Sequence, residues 1–299
     1  MQKVKYYIVQ IRILLRGSYF ILTHPANKGK FVGTLIKMIY WKVNKHFIKK
    51  DLITEISKGV KCICPYWSSY GGIVFMTGKP EYWESELFLK VIKKDSVVII
   101  VGANIGFYSL LAASKATDGF VYSFDVDPRI TNVIRRNIKI NGFSGRIKYY
   151  RKLVSDKNGM EQFVNERESE MSHIAYPKDF QKTQKYPSIS LDSFVKRLKI
   201  KKINIVKIDV EGAEYKVLHG MKNLISEKKI DYLLIEINEN IHLFGFTHSD
   251  IFNILKNSGY KIYIFRDGGL EKLKSDKIQK RDINKNLLAV NPKIKNQLM

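Results

Sequence analysis

No aspartate or glutamate occurs in the first fifty residues of this 299-residue chain; the first acid is Asp51. The same stretch holds eleven lysines and arginines, a local charge of +11. Cysteine is scarce as well, Cys62 and Cys64 being the only two. Two thiols cannot complete a structural zinc site, and no histidine stands at finger spacing. Their i, i+2 spacing puts both on one face of a strand, where free thiols in a reducing compartment are expected. No uninterrupted apolar run approaches the ~18–20 residues that a membrane span needs. Arg12 breaks the first apolar block and no clear small-residue cleavage site follows, so a secretory signal is not expected either.

What is present is a globular composition. Hydrophobic residues make up 45% and charged residues 27%, and the length suits one large domain or two small ones. Lysine and arginine number 52 against 28 acids, for a net charge of +24. Only eleven of those cations are arginine. Specific phosphate or base recognition favours the rigid guanidinium fork, so codon bias with a solvated lysine surface explains the excess better than a polyanion site. The acid-free opening also carries apolar clusters, from Ile8 to Leu15 and from Leu35 to Trp41, interrupted by Arg12, Arg16, Lys37 and Lys42. It is either an amphipathic segment lying on an anionic membrane or a helical extension packed on the main domain.

The expected organisation is a basic helical extension at 1–50, a hairpin and helix at 51–94, a main domain at 95–292 and a tail at 293–299. Residues 52–64 are β-like. Ser68, Ser69, Gly71 and Gly72 suggest a turn and 73–76 a returning strand. Residues 81–92 have helical spacing. From 97 onward, strands and helices alternate. Strands are expected at 97–101, 120–124, 147–154, 203–209, 232–237, 260–265 and 287–290. Helices are expected at 106–116, from Pro128 through Ile138, across Val217–Ile225 and at 249–258. The centre, 155–190, is polar and irregular, and the lysine-rich 271–299 reads as partly exposed. This alternation indicates an α/β fold with a mostly parallel sheet.

In such a sheet, ligands bind beyond the carboxyl ends of the strands. Three strand ends carry suggestive residues. The first is Gly102-Ala103-Asn104-Ile105-Gly106, where glycines permit a sharp turn and the following helix would offer N–H groups to an anionic ligand group. A nicotinamide dinucleotide fingerprint would need glycines at 104 and 107, which are Asn and Phe. The second is Asp125, whose carboxylate can accept from both hydroxyls of a ribose; Asp127, before Pro128, reads as a helix-start acid with the same capacity. The third is Lys207-Ile208-Asp209-Val210-Glu211-Gly212-Ala213-Glu214, with Glu214 expected to face solvent or cap the helix. Glu236 is a further acid one strand later.

Residues 101–111, 121–141, 204–220 and 233–238 resemble the FkbM family of S-adenosylmethionine-dependent methyltransferases, and the resemblance spans roughly 75–265. It implies a class I, Rossmann-like doubly wound sheet of seven strands, the last antiparallel and formed by 287–290, with helices on both faces. It implies S-adenosyl-L-methionine as cofactor and a hydroxyl of a small molecule or glycan as acceptor. Gly102, Ala103, Asn104 and Gly106 would hold the methionine part, Asp125 the ribose, Asp156 the adenine side, and Asp209 would lie near the sulfonium. Two positions depart from the family pattern: Ile100 replaces an acid two residues before the loop glycine, and Asp125-Val126 replaces Glu-Pro.

An alcohol oxygen is a poor nucleophile until its proton leaves, so a base must stand within hydrogen-bond reach. Asp209, Glu211 and Glu236 are the candidates, ahead of His173 and His242. No metal is expected, since Asp209 lacks companion ligands at a recognisable spacing. A lid from 156–190 and the N-terminal hairpin is expected, with Phe163, Tyr176, Phe180 and Tyr186 available to stack on a sugar. Amino-group methylation of nucleic acid would call for a proline-containing box where Asp209-Val210-Glu211-Gly212 stands. A membrane-docked protein with a decayed cofactor site is the non-catalytic alternative. A cytoplasmic location is expected, with peripheral contact at the inner face of the membrane.

Overall fold

The computed structural model describes residues 15–166, 169–177, 183–266, 269–273, 282 and 285–294. The expected apolar cluster from Ile8 to Leu14, the aromatic Phe180 and most of the lysine-rich tail lie outside the described residues. The chain forms two compact units, Met1–Tyr82 and Trp83–Met299.

In the first unit, residues 15–23 are helical. Helix α1 (Phe31–Val43) runs into a wide turn, Asn44–Ile48. Strands β1 (Leu52–Ser57) and β2 (Val60–Cys64) pair antiparallel, and Gly59 takes a positive φ of 73° in the turn between them. Cys62 and Cys64 are buried, and neither is in a disulfide. The expected returning strand is instead helix α2 (Ser69–Thr77). Ser68 starts it, its hydroxyl accepting the Gly71 N–H at 2.9 Å. The Gly71-Gly72 pair, which reads as a turn, serves packing: a Cβ on Gly72 would stand 2.7 Å from the Trp41 ring.

The unit boundary falls in helix α3 (Tyr82–Val91). The second unit then alternates: β3 (Val97–Val101), α4 (Phe107–Lys115), β4 (Phe120–Phe124), α5 (Pro128–Ile140) and β5 (Ile147–Tyr150). After an intervening region come α6 (Leu191–Arg197), β10 (Ile203–Ile208), α7 (Glu214–His219), α8 (Lys222–Ser226), β11 (Ile230–Ile237), α9 (His248–Asn257), β12 (Lys261–Arg266), β13 (Gly269–Lys272) and β14 (Lys285–Val290). The intervening strands are β6 (Leu153–Val154), β7 (Gly159–Val164), β8 (His173–Ile174) and β9 (Thr183–Ile189).

The main sheet has the order β13-β12-β14-β11-β10-β3-β4-β5, with β14 antiparallel to both β11 and β12. Leaving aside the edge strand β13, this is the class I methyltransferase arrangement with its antiparallel seventh strand. The strand order reverses between β3 and β10, and in open α/β sheets such a switch point is where ligands bind. The strands flanking it are buried on both faces, so Val97–Val101 reads as a continuous apolar run.

Three expectations are corrected. The sheet has eight strands because residues 269–272 fold back on β12 as a hairpin. The polar centre is a second sheet, ordered β6-β9-β7-β8, and the single strand expected at 147–154 divides between the two sheets. The helix expected across Val217–Ile225 breaks into α7 and α8, with Gly220 packed so tightly that an added Cβ would lie 2.0 Å from the Ser155 carbonyl oxygen.

Candidate active site

The glycine loop is a closed hydrogen-bonded unit. Gly102, Asn104 and Gly106 all take positive φ, at 79°, 46° and 92°. The N–H groups of Gly102 and Ala103 both donate to the Phe124 carbonyl. The Asn104 N–H donates to Asp125 Oδ2 at 2.8 Å, the Ile105 N–H to Asn104 Oδ1 at 2.7 Å, and the Gly106 N–H to the Ala103 carbonyl. The N–H groups of residues 102–106 are therefore committed within the fold, and those offered to a ligand would come from the first turn of α4. Helix α5 clamps the loop: Asn137 Nδ2 donates to the Ile105 carbonyl at 2.8 Å, and a Cβ on Gly106 would meet Ile134 at 2.9 Å. Gly102 abuts the end of β10, where a Cβ would stand 1.8 Å from the Asp209 carbonyl oxygen. The loop and Asp209 are thus locked together by backbone contact.

Asp125 ends β4. Its Oδ2 takes the Asn104 N–H and its Oδ1 takes the Asp127 N–H at 3.1 Å. Each oxygen keeps a further lone pair, so the carboxylate can both organise the loop and receive ribose hydroxyls. Burial pushes its pKa up to about 6, partly offset by these backbone N–H bonds. Asp127 is spent structurally: it caps α5 through the Arg129 N–H at 2.8 Å and pairs with the Arg129 side chain. The curled loop, the glycine cradle and the spare acceptors of Asp125 fit the adenosyl donor that the resemblance implies.

At the ends of β10 and β11, carboxylate oxygens of Asp209, Glu211 and Glu236 all lie within 4.8 Å of one another. The Lys207 ammonium, 2% exposed on β10, reaches Asp209 Oδ2 at 3.2 Å and Asn286 Oδ1 at 3.4 Å, and sits 4.8 Å over the Tyr108 ring. In register, Lys207 lies beside Ile100, so no acid on β3 competes for that ammonium. The Asp209 charge, followed by burial, pushes the Glu236 pKa well above the usual carboxylate range. Glu236 Oε2 is buried without a hydrogen-bond partner. Glu211 sits at φ 53°, held by Asn238 Nδ2 on Oε2 at 2.7 Å and by the Tyr176 hydroxyl donating to its carbonyl at 3.3 Å. The three carboxylates could also hold a divalent cation, a grouping the sequence spacing does not reveal.

The fold thus brings Gly102, Ala103, Asn104, Gly106 and Asp125 together, and Asp209, Glu211 and Glu236 together, with Gly102 on Asp209 joining the two groups. Asp156 is drawn into a separate cluster with Ser155 (2.9 Å), Lys216 and Glu161. Glu214 does not face solvent. It is fully buried, its Oε1 accepts the Gly212 N–H at 3.0 Å, and burial pushes its pKa up to about 7. Phe163 and Tyr186 pack in a buried satellite core, whereas Tyr176 reaches the acid cluster and stacks with His173 at 4.2 Å. His242 faces His248. Lys207, Asn238 and Asn286 were not singled out by sequence. Of these, a lysine inside an apolar strand was the one available signal.

A family model described as the methyltransferase FkbM domain matches residues 101–262, just over half of the chain. Hexuronic acid methyltransferase AglP of Haloferax volcanii is 28% identical over 159 residues, which is 52% of this chain and 61% of that protein. Methyltransferase 1 of Beauveria bassiana is 25% identical over 151 residues, 42% of this chain and 59% of that protein. The chain spans about three fifths of the length of these curated relatives. Among solved structures, a precorrin-6y C5,15-methyltransferase from Geobacter metallireducens aligns with TM-score 0.38 at 11% identity, covering 69% of this chain and 87% of that one. TrmK of M. capricolum in complex with S-adenosylhomocysteine aligns with TM-score 0.37 at 16% identity, covering 72% and 71%. The fold assignment rests on the strand order and not on these alignments.

Proposed function

The chain belongs to the FkbM methyltransferase domain family, and on that premise we propose that it is an S-adenosylmethionine-dependent methyltransferase acting on a hydroxyl oxygen of a glycan or small molecule. The observation that carries this reading is the contact of Gly102 with the Asp209 carbonyl oxygen. It sets a cofactor-type loop directly against a cluster of carboxylates.

The donor supplies an electrophilic methyl group together with its leaving group. The chain supplies position and charge. The rigid loop from Gly102 to Gly106 shapes the donor crevice, and Asp125 accepts the ribose hydroxyls. Asp209 orients the acceptor hydroxyl and takes its proton. Lys207 fixes the Asp209 carboxylate from the buried side, and the Asp209 charge biases the neighbouring Glu236 carboxyl toward holding its proton. Glu211, steadied by Asn238, faces the same cluster and offers a second acceptor for sugar hydroxyls.

Acceptor chemistry favours a neutral or acidic sugar over nucleic acid. Asp209-Val210-Glu211-Gly212 contains no proline, so it lacks the box that amino-group methylation of nucleic acid calls for. The name of the H. volcanii relative makes hexuronic acids the first acceptors to test. Two buried cysteines outside any disulfide fit a cytoplasmic setting, and the basic N-terminal unit fits peripheral contact with a membrane. The test is incubation with a labelled methyl donor and either hexuronic-acid glycans or cell-envelope extract. Alkali-stable label on a glycan oxygen supports the proposal; label confined to nucleic acid contradicts it.

A further inference from the structure

Helix α1 is apolar on two opposite sides. Thr34, Met38 and Trp41 are buried within the N-terminal unit, whereas Val32, Ile36, Ile39 and Val43 are exposed. At about 100° per residue these sets form two stripes on opposite faces of the helix. The inner stripe has a partner in α2, with Trp41 stacked on Phe75 at 5.8 Å. The outer stripe has none among the described residues. Ile36 is 62% exposed, and Phe47 in the turn after the helix is 82% exposed. Of twenty large hydrophobic side chains exposed among the described residues, twelve fall between 15 and 48, so the exposure is concentrated in this segment rather than scattered. A patch of that kind marks an interaction surface.

Charge decides what covers it. Lys37 and Lys42 lie at the borders between the two stripes, Lys37 with its ammonium 5.9 Å from the Phe75 ring centroid; Lys45, Lys49 and Lys50 follow the helix; and no acid precedes Asp51. A second copy of this chain would bring the same acid-free surface, lysine against lysine. A surface of anionic lipid supplies apolar depth for the stripe and phosphates for the lysines, whose aliphatic stems allow their ammonium groups to reach back to the headgroups. Thirteen residues of helix span about 20 Å, and no helix of the described residues is long and apolar enough to cross a membrane. The geometry therefore suits a helix lying in the interface.

We propose that the outer face of α1 and its following turn form a docking surface for anionic membranes, with Val32, Ile36, Ile39, Val43 and Phe47 entering the headgroup–acyl boundary. This deepens the peripheral contact proposed above and is independent of methyl transfer.

The test is co-sedimentation of the full chain with vesicles of phosphatidylcholine alone or with about 30 mol % phosphatidylglycerol added. Binding to the anionic vesicles is expected to be at least about tenfold tighter and to weaken with added salt. Ile36→Glu with Ile39→Glu is expected to abolish it while leaving the thermal unfolding midpoint in place, because both side chains point away from the core of the unit. Lys42→Glu with Lys45→Glu is expected to remove the preference for anionic vesicles, and it decides the matter should the first variant fail to fold. Equal binding to both vesicle types overturns the proposal. So does binding that survives the paired glutamates, or a dimer in solution that those glutamates dissociate. No donor or acceptor enters the assay, so a failure here leaves the proposed methyl transfer standing.

Discussion

The carboxylate of Asp125 accepts the backbone N–H of Asn104 at 2.8 Å, so the residue suited to hold a ribose also holds the loop that shapes the donor crevice. In the proposed site, one side chain would thereby couple cofactor affinity to loop geometry. Burial has pushed its pKa up to about 6. A protonated Asp125 has one fewer acceptor to offer, so donor affinity is expected to fall about tenfold between about pH 7 and about pH 5. Asp125→Asn is expected to bind weakly and without that pH dependence. Calorimetric titration at the two pH values checks both. The effect on stability runs the other way. The folded pKa lies above the unfolded value of about 3.9, so this group's contribution is full below about pH 4 and is lost as pH rises through about 6.

Gly102 and Gly142 share a positive φ, at 79° and 67°, but not surroundings. A Cβ at 102 would meet the Asp209 carbonyl oxygen at 1.8 Å, whereas one at 142 meets nothing within 4 Å. Gly142→Ala is expected to cost about 1 kcal/mol, from backbone conformation alone. Gly102→Ala is expected to cost several times that, about 3 kcal/mol or more, and to abolish donor binding. Chemical denaturation of the two variants distinguishes them.

The acids at the reacting end are expected to differ in role. Asp209→Asn removes the group assigned to take the acceptor proton, and turnover should fall by about 10² or more with donor affinity unchanged. Glu236→Gln substitutes a neutral amide for a carboxyl that the Asp209 charge biases toward its protonated form, so turnover should stay within several-fold of the parent. Single-turnover methyl transfer measures both. Wild-type turnover in Asp209→Asn would show that the base lies elsewhere.

Glu214 is buried with its pKa pushed up to about 7, while its Oε1 caps the turn at Gly212. The folded state holds the proton more tightly than the unfolded chain. Stability from this group is therefore full below about pH 4 and is lost as pH climbs through about 7, by about 3 kcal/mol in all. Glu214→Gln keeps the oxygen acceptor and removes the charge, so it is expected to flatten that slope and to be the more stable protein at about pH 8. Urea unfolding across pH reads the difference.

The parts legible in sequence were those buried on both faces. Residues 97–101 and 120–124 are continuous apolar runs bounded by turns, and they are strands to the residue. Strand β9, Thr183–Ile189, carries polar side chains and a proline, so nothing in its pattern separates it from a loop until β7 pairs with it. The Gly-Gly pair at 71–72 reads as a turn until Trp41 is seen to occupy the space that glycine leaves. In the site, Asp209 and Glu211 announce themselves by adjacency. Their meeting with Glu236 depends on the parallel register that aligns Ile208 with Ile235, which only the assembled sheet fixes. The commitment of the loop N–H groups to Phe124 and Asp125 is likewise a property of the fold.

Calorimetric titration of the full chain with S-adenosylmethionine is the most direct test of the central claim. The account predicts saturable one-to-one binding, mirrored by S-adenosylhomocysteine and lost in Asp125→Ala. No heat, together with no shift in thermal unfolding at millimolar donor, would contradict it and leave Ile100, where the family carries an acid, as the mark of a site that no longer binds.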